Sequence, residues 1–183
     1  MQASTRAARA DACARSGACP REVGRPGRVV WYRWRAVLIR PYVPSDREAC
    51  LELLRSNIPE HFSPPEAEAF ARFLDALPGP YFVVEVDGRI VGGGGIAVEK
   101  DGVTATLCWG IVDAERQRGG VGTKLLERRL GGFLAEHPEI RRVQTHTSQK
   151  VQGFYARHGF VVASVVPQGF GPELDEVTMV RSV

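Results

Sequence analysis

The run Gln117-Arg118-Gly119-Gly120-Val121-Gly122-Thr123 constrains this chain most, because it stands between a strand-like stretch and a helix-like one. Upstream, residues 104–112 (TATLCWGIV) begin by alternating polar with apolar and end almost continuously apolar, as a largely buried strand does. Downstream, Val121, Leu125, Leu126, Leu130, Phe133 and Leu134 recur at helical spacing until His137-Pro138 ends the run. Glycines in such a turn let the backbone approach a ligand closely, and the unpaired N–H groups of the first helical turn attract an anion. Strand, glycine turn and helix together make a phosphate cradle.

The details choose among phosphate-binding patterns. A P-loop needs Gly-Lys-Ser/Thr, whereas this chain has Gly122-Thr123-Lys124. A dinucleotide fingerprint needs a small third residue where Leu125 stands. The pattern that fits is Gln/Arg-x-x-Gly-x-Gly/Ala, present at residues 117–122. A second segment, residues 147–160 (TSQKVQGFYARHGF), reads as an amphipathic helix stopped at Gly159, with Phe160 placed to fold back over the apolar face. Its Phe154-Tyr155 pair precedes Gly159-Phe160 by three residues.

With these two motifs in this order, the chain resembles the GCN5-related N-acetyltransferase (GNAT) family from Val37 to Val183. The resemblance implies an α/β fold of mixed α+β type, with a central, mostly antiparallel mixed sheet flanked by helices. In that sheet the strands carrying Ile111-Val112 and Val143–Thr147 splay apart to admit the pantetheine of acetyl-CoA, the cosubstrate. It implies that main-chain groups of Ile111 and Val112 contact the pantetheine. Gln117, Arg118, Gly119, Gly120, Val121, Gly122 and Thr123 then hold the pyrophosphate, with Arg116 and Arg118 as candidate charge-assisted contacts. Ser148 stands where the family often has an asparagine on the pantetheine arm; read from its residue type alone, it serves equally well as a helix N-cap.

The implied reaction is direct transfer of an acetyl group to a primary amine of a small molecule or protein, within a ternary complex. Tyr155 matches the tyrosine that protonates the leaving thiolate, since a phenol carries its proton at neutral pH; core packing is its other reading. Two groups are candidates for accepting the amine proton through water. Glu99 lies at a strand end, and His146 lies on the face of its strand opposite Val143, Thr145 and Thr147. As a surface carboxylate and a polar strand residue, both also have plain structural readings. Glu60 and His61 fall in a region that borders the acceptor pocket in the family. Cys108 reads as buried, because direct transfer needs no acyl-enzyme. The alternative function is a non-catalytic acyl-CoA-binding regulatory or interaction module.

Composition agrees with one enzyme domain. The chain has 183 residues, 44% of them hydrophobic; its formal charge of +3 does not point to nucleic acid, and no apolar run is long enough to cross a membrane. Cys13, Cys19, Cys50 and Cys108 lack metal-ligand spacing, so no metal is expected; they read as reduced thiols of a cytoplasmic protein. A homodimer stays open. Residues 1–36 hold eight arginines against two acids and no sustained period, and are expected to be a disordered extension with no catalytic role.

The remaining elements are well punctuated. Residues 37–40 read as a strand, Ser45 and Glu48 as a capping box, and Ser63-Pro64-Pro65-Glu66 as a second helix start. Residues 81–86 and 89–98 form a hairpin around Asp87-Gly88, and 142–147, 160–166 and 176–183 read as further strands. Residues 57–65 and 167–174 are expected to be loops around the acceptor.

Overall fold

Tyr81–Val86 (β2) and Arg89–Val98 (β3) pair antiparallel around Asp87 and Gly88, which take φ of 53° and 76°. Positive φ at both turn residues matches the right-handed twist of the flanking strands, and the Asp-Gly pair accommodates it. This hairpin anchors the computed structural model, which describes residues 37–183; the expected disordered extension, residues 1–36, lies outside the described residues.

Val37–Pro41 (β1) flanks β2, while Thr104–Val112 (β4) flanks β3, both antiparallel. Arg142–Thr147 (β5) joins β4 in parallel, and Val161–Gly171 (β6) and Leu174–Ser182 (β7) complete a seven-stranded sheet of order β1-β2-β3-β4-β5-β7-β6. The expected mixed, mostly antiparallel sheet is therefore found.

Alternation along β2 assigns the two faces. Tyr81 and Val83 pack with Leu53, Leu54, Phe70 and Leu74 from the helices Arg47–Arg55 (α1) and Glu66–Asp75 (α2). Phe82, Val84 and Val86 face Val121 and Leu125 of Val121–Glu136 (α3) instead. Leu126, Leu130 and Phe133 extend that second face over Val143, Val177 and Met179, where they meet Tyr155 of the short helix Gln152–Arg157 (α4). Among the described residues no helix is long and apolar enough to cross a membrane.

Two local expectations change. Ser45 does not cap α1, because a 3-10 turn, Pro44–Asp46, comes first and the reciprocal contact passes to Asp46. Its carboxylate accepts from Val43 N at 2.9 Å and from both terminal nitrogens of Arg40 at 2.6 and 2.9 Å. At the other end, residues 167–174 are mostly hairpin: β6 runs on to Gly171, with a register break after Val166. At Ser63 the expectation holds in part: Glu66 accepts from both the amide and the hydroxyl of Ser63, but α2 begins at Glu66 with Pro65 at its N-cap position and no side chain caps it.

The Asp46–Arg40 contact ties α1 to β1, and Asp46 is only 7% exposed. The guanidinium holds its carboxyl below the ordinary carboxylate value. Replacing Asp46 by Asn is expected to lower stability at pH 7 by about 1–3 kcal/mol in urea unfolding. A depressed folded value stabilises fully above the unfolded value of about 4 and is lost as pH falls through the folded one, so the gap between parent and variant narrows in acid.

Candidate active site

A bulge in β4 opens the site. Gly93 pairs with Ile111 and Gly95 with Cys108, so that Trp109 and Gly110 together oppose Gly94. An extra residue bends its strand and re-aims the chain beyond it. On the other edge, β4 pairs with β5 only from Thr104↔Arg142 to Leu107↔Thr145. Beyond that point Cys108–Val112 and His146-Thr147 part, which is the expected splay; Val143 and Thr145, expected within it, belong to the paired part. Around the parting lies a cleft of about 870 Å³ that reaches Phe73 and Ile111 on the α1/α2 side and Leu107 and Tyr155 on the α3/α4 side.

One end of the cleft is the glycine loop. Arg118 and Gly120 take φ of 62° and 82°, and the first bond within α3 runs from Lys124 N to Gly120 O. The amides of residues 121–123 therefore lack intrahelical partners and present the positive end of a sixteen-residue helix. Gln117, Arg118, Gly120, Gly122 and Thr123 line the cleft, as do Ile111 and Val112. Gly119 and Val121 do not line it, and the Val121 side chain packs into the core. Arg116 also lies outside the lining. The Gln117 amide donates to Asn57 Oδ1 at 3.1 Å, fixing the loop to the end of α1.

Tyr155 and Ser148 form part of the wall at the splay. Tyr155 is 6% exposed and packs edge-on against Phe160, while its hydroxyl lies 3.3 Å from where a Cβ on Gly110 would stand. Packing and site position thus coincide. The Ser148 hydroxyl is buried without a partner, and α4 is capped by Val151 instead, so the N-cap reading of that side chain fails.

The two proton-acceptor candidates separate. His146 lines the cleft just beyond the parting and pairs through Nδ1 with Glu176 Oε1 at 2.8 Å. Glu99 accepts from the Thr106 hydroxyl in a different depression, beside Asp101 and Arg142, outside the main lining. His61 also lines the cleft, its buried Nδ1 unpartnered, whereas Glu60 receives Lys150 at 3.1 Å. Burial pushes the Cys108 thiol up to about 11 and the Cys50 thiol up to about 12, so both stay protonated at neutral pH.

Sequence reading missed the bulge and a buried cation, Arg129, that lies beneath it. A signal existed for the second: Arg129 stands four residues after Leu125 and three after Leu126, on the buried stripe of α3.

Residues 78–162, which span both motifs, match the acetyltransferase (GNAT) domain. Among solved structures, the ribosomal-protein-S18-alanine N-acetyltransferase from Escherichia coli shares the fold at TM-score 0.68 and 18% identity, over 81% of this chain and 94% of that one. Ard1 from Thermoplasma volcanium gives 0.67 and 22%, over 81% and 98%. For yncA from Salmonella typhimurium, solved with its cofactor acetyl-CoA, the values are 0.63 and 21%, over 80% and 94%. No curated protein matches the chain. In its motifs, its splayed sheet and the match over residues 78–162, the chain is similar to GNAT acetyltransferases and shares their fold.

Proposed function

We propose that this protein transfers the acetyl group of acetyl-CoA directly to a primary amine of a small molecule or protein. The observation that carries the reading is the set of unsatisfied polar groups along one cleft: the amides of residues 121–123, the unpaired β4 edge and the orphaned Ser148 hydroxyl. In that order they match a pyrophosphate followed by an amide-bearing pantetheine arm. The thioester then lies at the splay, beside Tyr155.

The two faces of the sheet divide the chemistry. On the α3/α4 face, the Tyr155 hydroxyl donates to the leaving sulfur. From the other face the amine approaches past Phe62, Phe73 and Trp109, and His146, oriented by Glu176, accepts its proton. Glu99 has no role here, because it stands outside the cleft lining. The amine nitrogen forms its bond to the carbonyl carbon as the carbon–sulfur bond breaks, so no covalent enzyme intermediate is required.

Thiol release over a panel of amines tests the reading. Binding of acetyl-CoA without release for any amine would identify a non-catalytic module.

Three substitutions resolve the parts. Valine at Gly122 places methyls toward the Phe154 ring, 3.4 Å from the added Cβ, and into the cradle; acetyl-CoA affinity is expected to fall about tenfold or more by calorimetry. Parent-like affinity in a folded variant would remove the loop from the site. Tyr155→Phe keeps the ring, so binding is expected to hold while kcat drops roughly ten- to a thousandfold. An unchanged kcat, with chemistry rate-limiting, returns Tyr155 to the core. His146→Asn is expected to lower kcat about a hundredfold, with partial recovery at higher pH where more of the amine is already neutral. A uniform loss across pH would argue against proton acceptance.

A further inference from the structure

Arg129 heads the fully buried side chains by size, at 2% exposure. Among the described residues its guanidinium makes one long hydrogen bond, from Nη1 to Gly95 O at 3.4 Å, and Nε has no partner. No salt bridge reaches it among the described residues. A buried cation without a counter-charge is costly, and a hydrophobic side chain of similar volume is commonly the more stable choice.

The sheet is shaped around this cation. A Cβ on Gly94 would stand 2.9 Å from Nη1 and 3.0 Å from Cζ, so a side chain there would push the guanidinium aside. At Gly110 a Cβ would stand 3.5 Å from both Nη1 and Nη2, and 3.3 Å from Tyr155 Oη. Gly110 is the exposed residue of the bulge and lines the cleft. Guanidinium and phenol therefore converge beneath a single glycine of the cleft wall, where β4 leaves β5.

Resting on the acetyl-CoA reading, we infer that Arg129 supplies the counter-charge for the anion that acyl transfer creates on the coenzyme A sulfur and Tyr155. As the amine nitrogen bonds to the carbonyl carbon, the carbon–sulfur pair moves onto sulfur, and the amine proton leaves on the acceptor side. Whether the phenolic proton stays on oxygen or passes to sulfur, one negative charge remains on that pair of atoms. Arg129 faces it from below. It acts as a positioning residue, since Gly110 lies between it and the cleft.

The groups around Arg129 leave this charge free. Tyr81 of β2 is raised well above the usual phenol range by burial, and Cys108 of β4 is pushed up to about 11, so both stay neutral at pH 7. Glu99 acts on Cys108 from the end of β3 but forms no ion pair with Arg129. His146 of β5 is engaged with Glu176. Tyr155 comes from α4.

Ultraviolet titration of the protein with bound coenzyme A, referenced to the desulfo analogue, tests the inference. A nearby cation favours the anion, so the thiol of bound coenzyme A is expected to ionise at least about one pH unit below that of free coenzyme A. Arg129→Met should raise that midpoint by about a unit or more while Tm holds or rises; Arg129→Lys should retain most of the shift. A parent midpoint at or above that of free coenzyme A would overturn the inference without any variant. An unchanged midpoint in Arg129→Met, with Tm reduced, would assign the arginine to structure alone. Failure of coenzyme A to bind the parent at all would instead overturn the acetyl-CoA reading, and the inference with it.

Discussion

The two-residue bulge at Trp109 and Gly110 is the constraint on which the rest of the site depends. It ends strand-to-strand contact between β4 and β5, and it does so with Trp109 at a φ of 43°. A bulky residue held in that region costs on the order of 1–3 kcal/mol. What holds it is a cluster of rings: Phe70 lies 5.0 Å from Trp109, Phe73 lies 6.1 Å away, and Phe62 stacks at 6.2 Å. Aromatic pairs contribute roughly 0.5–1.5 kcal/mol each beyond area burial, so three offset the strain. The Trp109 carbonyl also accepts from Tyr81 at 3.3 Å. Helix α2 and the loop before it thus keep the sheet open as well as covering it.

Opening the sheet places different chemistry on its two faces. Alternation along β5 sends Val143, Thr145 and Thr147 inward and leaves His146 on the face that α3 and α4 do not cover. Tyr155 and Arg129 stand on the opposite face. One strand parting therefore lets two polar groups reach a shared cleft from opposite sides while the layers that carry them stay packed. The glycines of β3 and the bulge make that arrangement sterically feasible, because side chains at Gly93 and Gly94 would collide with Tyr81 and Arg129.

Much of this was legible in the sequence because the signals were local. The glycine loop, the Asp87-Gly88 turn and the Phe154-Tyr155 to Gly159-Phe160 segment each specify their own backbone, and all three appear where their residues indicate. Other features depend on partners distant in sequence. Ser45 looked like a cap because Asp46 has no visible partner until Arg40, one strand earlier, is brought against it. Glu99 looked near the chemistry because a strand end marks a sheet edge without saying which edge. The parting of β4 from β5 follows from pairing across 38 positions, as in Thr104↔Arg142, and from the four residues Cys108 to Ile111 lying against only three, Gly93 to Gly95. No window of sequence carries that count.

The contact between Lys150 and Glu60 bears on how molecules reach the cleft. It joins the chain before α4 to the loop after α1, with the two side chains 36% and 70% exposed. An ion pair so open to solvent is worth about 0–1 kcal/mol, which is comparable with thermal energy of about 0.6 kcal/mol. Broken and formed arrangements then lie within roughly a factor of ten of equal population, and salt weakens the pair further by screening only as it approaches molar concentration, where the Debye length of about 3 Å matches the contact distance. A strap this weak joins the two segments only part of the time, so it does not by itself close the cleft.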